Sequence, residues 1–250
     1  MAERGAALVT GGARRIGRAL TVAAAEAGYD VAIHVRAVDD EAEAAAADVR
    51  ARGRKAALVA CDLRKESTTV ALVGEAEAEL GPVTLLVNSA SVFEEDAFAD
   101  MNRASWDAHM ETNLRAPLVL AQVFARRLPP GREGLIVNIL DQRVLRPAPD
   151  FFSYSLSKAA LWDATRMLAQ ALAPRIRVNG IGPGPTLPSI HQDQAAFDAE
   201  AAGALMGRPV APAEIAAALR YLIDAPSVTG QMIAVDAGQH LAHGPGPARR

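Results

Sequence analysis

Short runs of valine, leucine and isoleucine alternate along this chain with longer, alanine-rich segments whose apolar positions recur at helical spacing. Seven runs, Ala6–Thr10, Val31–Val35, Ala56–Ala60, Val83–Val87, Leu135–Ile139, Arg175–Asn179 and Met232–Val235, are nearly continuous in apolar character. Such runs, rich in β-branched residues, suit strands buried on both faces. Between them Ile16–Ala27, Glu41–Arg52, Ser67–Leu80, Arg103–Leu128, Ser153–Ala173 and Pro212–Ile223 read as helices. Strict alternation predicts right-handed crossovers and an α/β fold: a single-domain, doubly wound parallel sheet of about seven strands, helices on both faces. No linker divides residues 1–243, and the Gly-Pro repeat at 244–247 opens a tail, 244–250, expected to be mobile. The stretch 182–209 shows no clear strand and is rich in glycine and proline. Ligands of such sheets bind beyond the carboxyl ends of the strands, so this stretch reads as a substrate lid, with a plain surface insertion as the alternative.

Composition sharpens this picture in a few places. Half of the 250 residues are hydrophobic and only 4% are aromatic, so the core is aliphatic, as helices packed closely on a sheet require. A net charge of −3 provides no general attraction to nucleic acid or to an anionic membrane. The single cysteine, Cys61, excludes an internal disulfide and a cysteine-built zinc site, and no metal site is expected. Met1–Gly5 leads directly into the first strand without the apolar run of a signal peptide, and no apolar stretch reaches the ~20 residues that span a bilayer. The expectation is a cytoplasmic protein acting on a small molecule.

The first strand ends in Thr10-Gly11-Gly12-Ala13-Arg14-Arg15-Ile16-Gly17 and passes at once into a helix. Glycines at a strand-to-helix turn let the backbone approach a pyrophosphate, which the helix N-terminus favours electrostatically. The turn marks the sheet as a Rossmann-type nucleotide binder and makes Gly11, Arg14, Arg15, Ile16 and Gly17 cofactor candidates. Asp62 and Leu63 past the third strand, and Asn88 and Ala90 past the fourth, fall on the same edge, each with an ordinary loop cap as its alternative. Where the second strand should end over the adenosine ribose, the chain reads Ile33-His34-Val35-Arg36, with no acid before Asp39. An acid there would bind a ribose 2′-hydroxyl, whereas a basic residue accommodates a 2′-phosphate. His34 and Arg36 therefore favour NADPH/NADP+ over NAD, the alternative being a solvated basic strand end.

Tyr154-Ser155-Leu156-Ser157-Lys158 places a phenol and an ammonium four residues apart, on one helical face. At about 4 Å and an effective dielectric near 20, a lysine stabilises a tyrosinate by roughly 4 kcal/mol. That would bring a phenol from near 10 towards about 7, the range of a general acid. Taken with Thr10-Gly11…Gly17, Asp62, Asn88-Ser89-Ala90, Asn113 and Pro183-Gly184 followed by Thr186, the whole chain resembles the short-chain dehydrogenase/reductase family. The resemblance implies that Tyr154 donates a proton, that Lys158 binds the nicotinamide ribose and lowers the phenol pKa, and that Asn113 holds a proton-relay water. It also implies cofactor contacts at Pro183, Gly184 and Thr186, and a homotetramer assembled through the helices of Asn113 and Tyr154. Read without the resemblance, Asn113 is equally a polar helix residue, and Ala159, Ala160 and Ala164 either permit helix contact or pack on the sheet.

Two departures narrow the resemblance. Arg15 stands where the general pattern has a second glycine, and Asp141 stands where it has a catalytic serine. Both are similar to the pteridine reductases, including the dihydromonapterin and dihydrofolate reductases of this fold, as are Ser91 and Phe93. By that resemblance Phe93 and the nicotinamide sandwich a flat pterin, while Ser91 and Arg15 bind its polar edge; the loop after Pro188 and a wall of Phe151 and Phe152 are expected to decide which side chain is accepted. The alternatives are phosphate binding for Arg15, ordinary packing for Phe93 and a loop cap for Asp141. An ionised Asp141 beside Tyr154 opposes Lys158 and keeps the phenol protonated. The expected activity is NADPH-dependent reduction of a dihydropterin or dihydrofolate-like ring. The alternatives are a carbonyl reductase, such as a 3-oxoacyl-carrier-protein reductase, and a non-catalytic NADP-binding regulator.

Overall fold

The computed structural model describes residues 4–189 and 191–242. All seven expected strands form: β1 (Ala6–Thr10), β2 (Asp30–Val35), β3 (Ala56–Ala60), β4 (Val83–Asn88), β5 (Gly134–Ile139), β6 (Ile176–Pro183) and β7 (Met232–Val235). They make one parallel sheet in the order β3-β2-β1-β4-β5-β6-β7. The order reverses between β1 and β4, and the crevice of such a sheet opens at that switch point.

Period-two alternation sorts the strand side chains into two cores. Ala7 and Val9 of β1 face one side, with Leu20 of α1 (Arg15–Glu26), Ala45 of α2 (Asp40–Arg50) and Leu219 of the last helix. Ala6 and Leu8 face the other, with Leu72 of α3 (Glu66–Leu80) and with Leu120 and Phe124. The alanine-rich faces of α1 and α2 let their backbones lie close to the sheet, which is what the low aromatic content predicted.

Two elements differ from the sequence reading. The single helix expected over 103–128 is α4 (Arg103–His109), a π-helical turn (Met110–Arg115) and α5 (Ala116–Arg127). The stretch 182–209 is not strand-free and irregular throughout: β6 runs to Pro183, and α7 (Gln194–Gly203) lies inside it. After α6 (Phe152–Leu172) and α7, α8 (Pro212–Asp224) completes the series. The expected tail at 244–250 lies outside the described residues, among which no helix is long and apolar enough to cross a membrane.

Candidate active site

A cleft of about 1070 Å³ opens at the carboxyl ends of the strands, over the switch point. At its floor the turn after β1 is built from backbone. Gly11 adopts φ +62°, and a Cβ on Gly17 would lie 2.0 Å from the Gly11 carbonyl oxygen, so the start of α1 packs on this turn only as glycine. The Thr10 hydroxyl accepts from the amides of Ser89 (2.9 Å) and Ala90 (3.0 Å), stitching the β1 and β4 turns together across the switch point. Arg15, in the place of a second glycine, keeps the left-handed backbone a glycine would take, at φ +50°. An L-residue there costs about 1–2 kcal/mol, and its guanidinium reaches across the cleft to the carbonyls of Leu187 (3.1 Å) and Pro188 (2.9 Å).

The end of β2 departs from expectation at His34. Its ring is buried, with Nδ1 accepting from the Gly11 amide (3.3 Å) and Nε2 donating to the Cys61 carbonyl (3.1 Å), a tautomer assigned from these partners. Burial pulls its pKa down, against the Cys61 hydrogen bond, so His34 is a neutral brace for the glycine turn rather than a phosphate-binding cation. Arg36 is different: it is exposed, lines the cleft and pairs with no carboxylate among the described residues. Asp39, the first acid after β2, accepts from Ala42 N as the N-cap of α2 and is ion-paired to Arg14. Arg14 lines the cleft, but its guanidinium is taken up by Asp39 and Glu41. A 2′-phosphate would thus meet Arg36 with no carboxylate opposing it.

The reacting end is formed where α6 crosses the end of β5. The Tyr154 hydroxyl donates to Asp141 Oδ2 at 2.7 Å, and Asp141 Oδ1 accepts from the Arg143 amide at 2.8 Å. Asp141 therefore caps the following 3-10 turn and also accepts from the phenol. Lys158 Nζ donates to the Ile139 carbonyl at 2.8 Å and lies 5.7 Å from the centre of the Tyr154 ring. Burial, then the charge of Asp141 and its hydrogen bond, push the Tyr154 phenol well above its ordinary value. This corrects the expectation that Lys158 draws it down towards about 7. The ammonium sits over the ring and is tied to a carbonyl, while the carboxylate touches the hydroxyl itself. Burial also raises Asp141, against the Arg143 amide and the Tyr154 hydroxyl, and lowers Lys158 to about 8.

One wall is aromatic. Phe93 stacks on Phe151 with ring centres 4.2 Å apart and planes 6° from parallel, and meets the Tyr154 ring edge-on at 4.7 Å. Arg143, paired with Asp150, lies over the Phe151 ring at 5.3 Å from its centre. Phe152, expected in the same wall, turns away from the cleft to pack against Phe98.

Of the residues singled out from the sequence, Gly11, Ile16, Gly17, Asp62, Leu63, Ala90, Ser91, Pro183, Gly184 and Thr186 also line this cleft. The Asp62 carboxyl is held to about 2 by its hydrogen bonds from Arg64. Asn88 does not line it: its amide is buried and donates to Asn138 Oδ1 at 2.8 Å, because the side chain of this last β4 residue turns into the sheet. Asn113 also stands behind the cleft wall. Its side chain grips the Val92 backbone at both N (2.8 Å) and O (2.9 Å) and donates to Ser157 Oγ at 3.1 Å. Sequence reasoning missed Arg143 as a site residue, and missed Asp96, His109 and Ser153 beneath the wall. No local spacing joins Asp96, His109 and Ser153, which meet where α4 and the loop before it pack on α6.

Residues 5–198 match the model of the short chain dehydrogenase family. The chain is 46% identical to FolM alternative dihydrofolate reductase 1 of Brucella canis, whose crystal structure complexed with NADP aligns over 100% of both chains with a TM-score of 0.91. It is 35% identical to an uncharacterised oxidoreductase of Mycobacterium tuberculosis, over 93% of this chain and 90% of that one. With the 3-oxoacyl-acyl-carrier-protein reductase FabG of Staphylococcus epidermidis it shares 30% identity over 71% of this chain and 73% of that protein. The family match spans most of the chain and the sheet and cleft agree with it, so this protein belongs to the short-chain dehydrogenase family, as an oxidoreductase resembling its pteridine-reductase-like members.

Proposed function

We propose that the protein is an NADPH-dependent pteridine reductase, reducing a C=N bond of a dihydropterin or dihydrofolate-like ring with Tyr154 as proton donor. The observation that carries this reading is the Tyr154–Asp141 hydrogen bond of 2.7 Å beneath a flat aromatic wall. A phenol whose pKa is pushed up stays protonated at neutral pH, which suits a site that delivers protons.

The residues present fit a dinucleotide. Gly11 and Gly17 leave the backbone of the first turn bare, and Arg36 offers an unopposed guanidinium where a 2′-phosphate would sit. The nicotinamide, when bound, supplies the hydride. Lys158 and the Pro183-Gly184-Thr186 segment line the cleft beyond β5 and β6, where its ribose would be held. Phe93, stacked on Phe151, lines the cleft beside Tyr154 as part of an aromatic wall suited to a planar ring, and Ser91 and Arg15 line the same cleft with hydrogen-bonding groups. Tyr154 releases its proton to the ring nitrogen as the adjacent carbon takes the hydride. The resulting phenolate is stabilised by the Lys158 ammonium over its ring. The similarity to the Brucella protein, an alternative dihydrofolate reductase crystallised with NADP, supports the same substrate class and cofactor.

Carbonyl reduction is the second reading, favoured by the match to FabG. Following NADPH absorbance with dihydrobiopterin, dihydrofolate and a small β-keto ester separates the two. Turnover of a dihydropterin, faster with NADPH than with NADH and lost in Tyr154→Phe, is expected. Preference for the keto ester would replace the first reading by the second, and a fully active Tyr154→Phe protein would overturn both.

Assembly as a tetramer through α5 and α6 belongs to the same proposal. Ala159, Ala160 and Ala164 are only half-buried, and Leu156 and Met167 on α6 are exposed. That leaves a small-residue face with apolar neighbours for a second copy.

A further inference from the structure

Below the aromatic wall lies a second polar cluster, which the proposed chemistry does not use. Ser153 and His109 are completely buried and Asp96 is 6% exposed. The Glu94 amide donates to His109 Nε2 at 3.1 Å, so Nδ1 carries the ring proton and faces Ser153 Oγ at 2.6 Å. The Ser153 hydroxyl in turn donates to Asp96 Oδ2. Asp96 Oδ1 accepts from the Ser153 amide at 2.9 Å, and the Asp96 carbonyl accepts from the Phe152 amide at 3.0 Å. These two amides open α6, whose own N-cap residue, Phe151, makes no side-chain cap and sits at φ +50°. Asp96, from a distant loop, is therefore the cap of the helix that carries Tyr154.

The set of residue types resembles a hydrolytic triad, but the order of hydrogen bonds rules that out. The serine lies between the acid and the histidine, donates to the acid and reaches no cleft. A nucleophile would have to give its proton to the histidine instead.

We propose that His109, acting through Ser153 and Asp96, is a positioning residue that sets the Tyr154 phenol against the Phe93 wall. The cluster is one of two parallel rungs. His109 binds the backbone at Glu94 and the side chain of Ser153; Asn113, four residues on, binds the backbone at Val92 and the side chain of Ser157, also four residues on. The rungs grip the loop on either side of Phe93 and tie it to the helix face bearing Tyr154. The His109 ring also lies edge-on to that of Tyr154, with centres 6.0 Å apart. The upper rung runs in one direction only. It starts at a backbone N–H, passes a neutral imidazole and a hydroxyl, and must end on a pure acceptor. A carboxylate is that acceptor; an amide in either orientation would set one donor against another. Burial, outweighing the nearby acids Asp96 and Glu94, lowers the His109 pKa and keeps the ring neutral.

This inference rests on Tyr154 being the proton donor, whichever ring is reduced. In the Asp96→Asn enzyme, kcat is expected to fall on the order of tenfold or more, since displacements of about 1 Å cost up to ~100-fold. KM for NADPH should stay within about twofold, because the dinucleotide cleft is untouched. Amides 152–154 should lose protection in hydrogen exchange. Ser153→Ala, which keeps the backbone cap but cuts the rung, should lower kcat by less, with the same unmoved KM. Leu72→Ala, in the α3 core and not among the cleft-lining residues, is a control whose Tm loss is matched to the others by measurement and should leave kcat near wild type. Wild-type kcat in both Asp96→Asn and Ser153→Ala, or a loss that Leu72→Ala reproduces, would overturn the proposal. Full activity in Tyr154→Phe would instead overturn the functional reading, so the two failures are told apart.

Discussion

At Tyr154 burial first, and then the Asp141 carboxyl in contact with the hydroxyl, raise the phenol pKa against the charge of Arg143. Asp141 is bonded to the hydroxyl, whereas Lys158 lies over the ring, and the phenol is held protonated. Replacing Asp141 by Ser removes the negative charge beside the phenol, which then ionises at lower pH. Reduction needs the protonated phenol, so the alkaline limb of kcat/KM should move to lower pH. A pH–rate profile with an unmoved limb rejects that role for Asp141. Lys158 makes a separate prediction about stability. Its drop from 10.5 to about 8 is caused first by burial and corresponds to on the order of 3 kcal/mol. Below pH 8 the ammonium persists in both the folded and unfolded chain, and the folded state bears the whole burial penalty. Between about 8 and 10.5 the folded chain releases its proton first, so stability rises with pH across that window. Lys158→Met should therefore be inactive yet more stable at pH 7, with its advantage shrinking towards pH 10. Urea unfolding of both proteins at pH 7 and 10 measures this, and a constant difference would contradict it. The Tyr154–Lys158 pair was legible because helical spacing alone brings the two together. The hydrogen-bond partner of the Tyr154 hydroxyl was legible only by resemblance, since Asp141 reaches it from a loop.

At the scale of elements, packing revised what periodicity proposed. An unbroken amphipathic pattern over 103–128 predicted one helix, and the observed π-helical turn at Met110–Arg115 lies in its middle. Such turns cluster at functional sites, and this one carries Asn113 to the loop backbone at Val92. Its sequence, Met-Glu-Thr-Asn-Leu-Arg, has no glycine or proline to announce it. The glycine turn shows the opposite case, because Gly17 is required by contact with Gly11 and was visible as a motif. Gly17→Ala places a methyl inside the Gly11 carbonyl and must push α1 away from β1. Overpacking of this kind costs about 1–3 kcal/mol. We expect a lower Tm by calorimetry and at least about tenfold weaker NADPH binding by nucleotide fluorescence. Wild-type affinity would mean that the turn does not have to approach the dinucleotide.

For the molecule as a whole, strand order sets where chemistry can occur. The reversal between β1 and β4 opens the cleft, and the ends of β2, β5 and β6 bring Arg36, Asp141 and Pro183 to its rim. The proposed tetramer follows from the outer face of α6, where Met167 is 68% exposed. Light scattering at micromolar concentration should give the mass of four chains, and Ala160→Arg, on the half-buried small-residue face, should reduce it. A wild-type mass of one chain would reject this assembly.

The seven strands, most of the helices, the parallel sheet, the glycine turn and the helical spacing of Tyr154 and Lys158 were determined by the sequence alone. Each depends on periods of two or four residues, or on one local turn, and local geometry is written into neighbouring positions. Tertiary structure decided that His34 braces a turn, that Asn88 and Asn113 stand behind the cleft lining, and that Asp96 caps α6. Those outcomes join residues 21 to 57 positions apart. Which buried polar group finds which partner at such separations is settled by how the helices pack on the sheet, because an unpaired buried donor or acceptor is costly and most must find one.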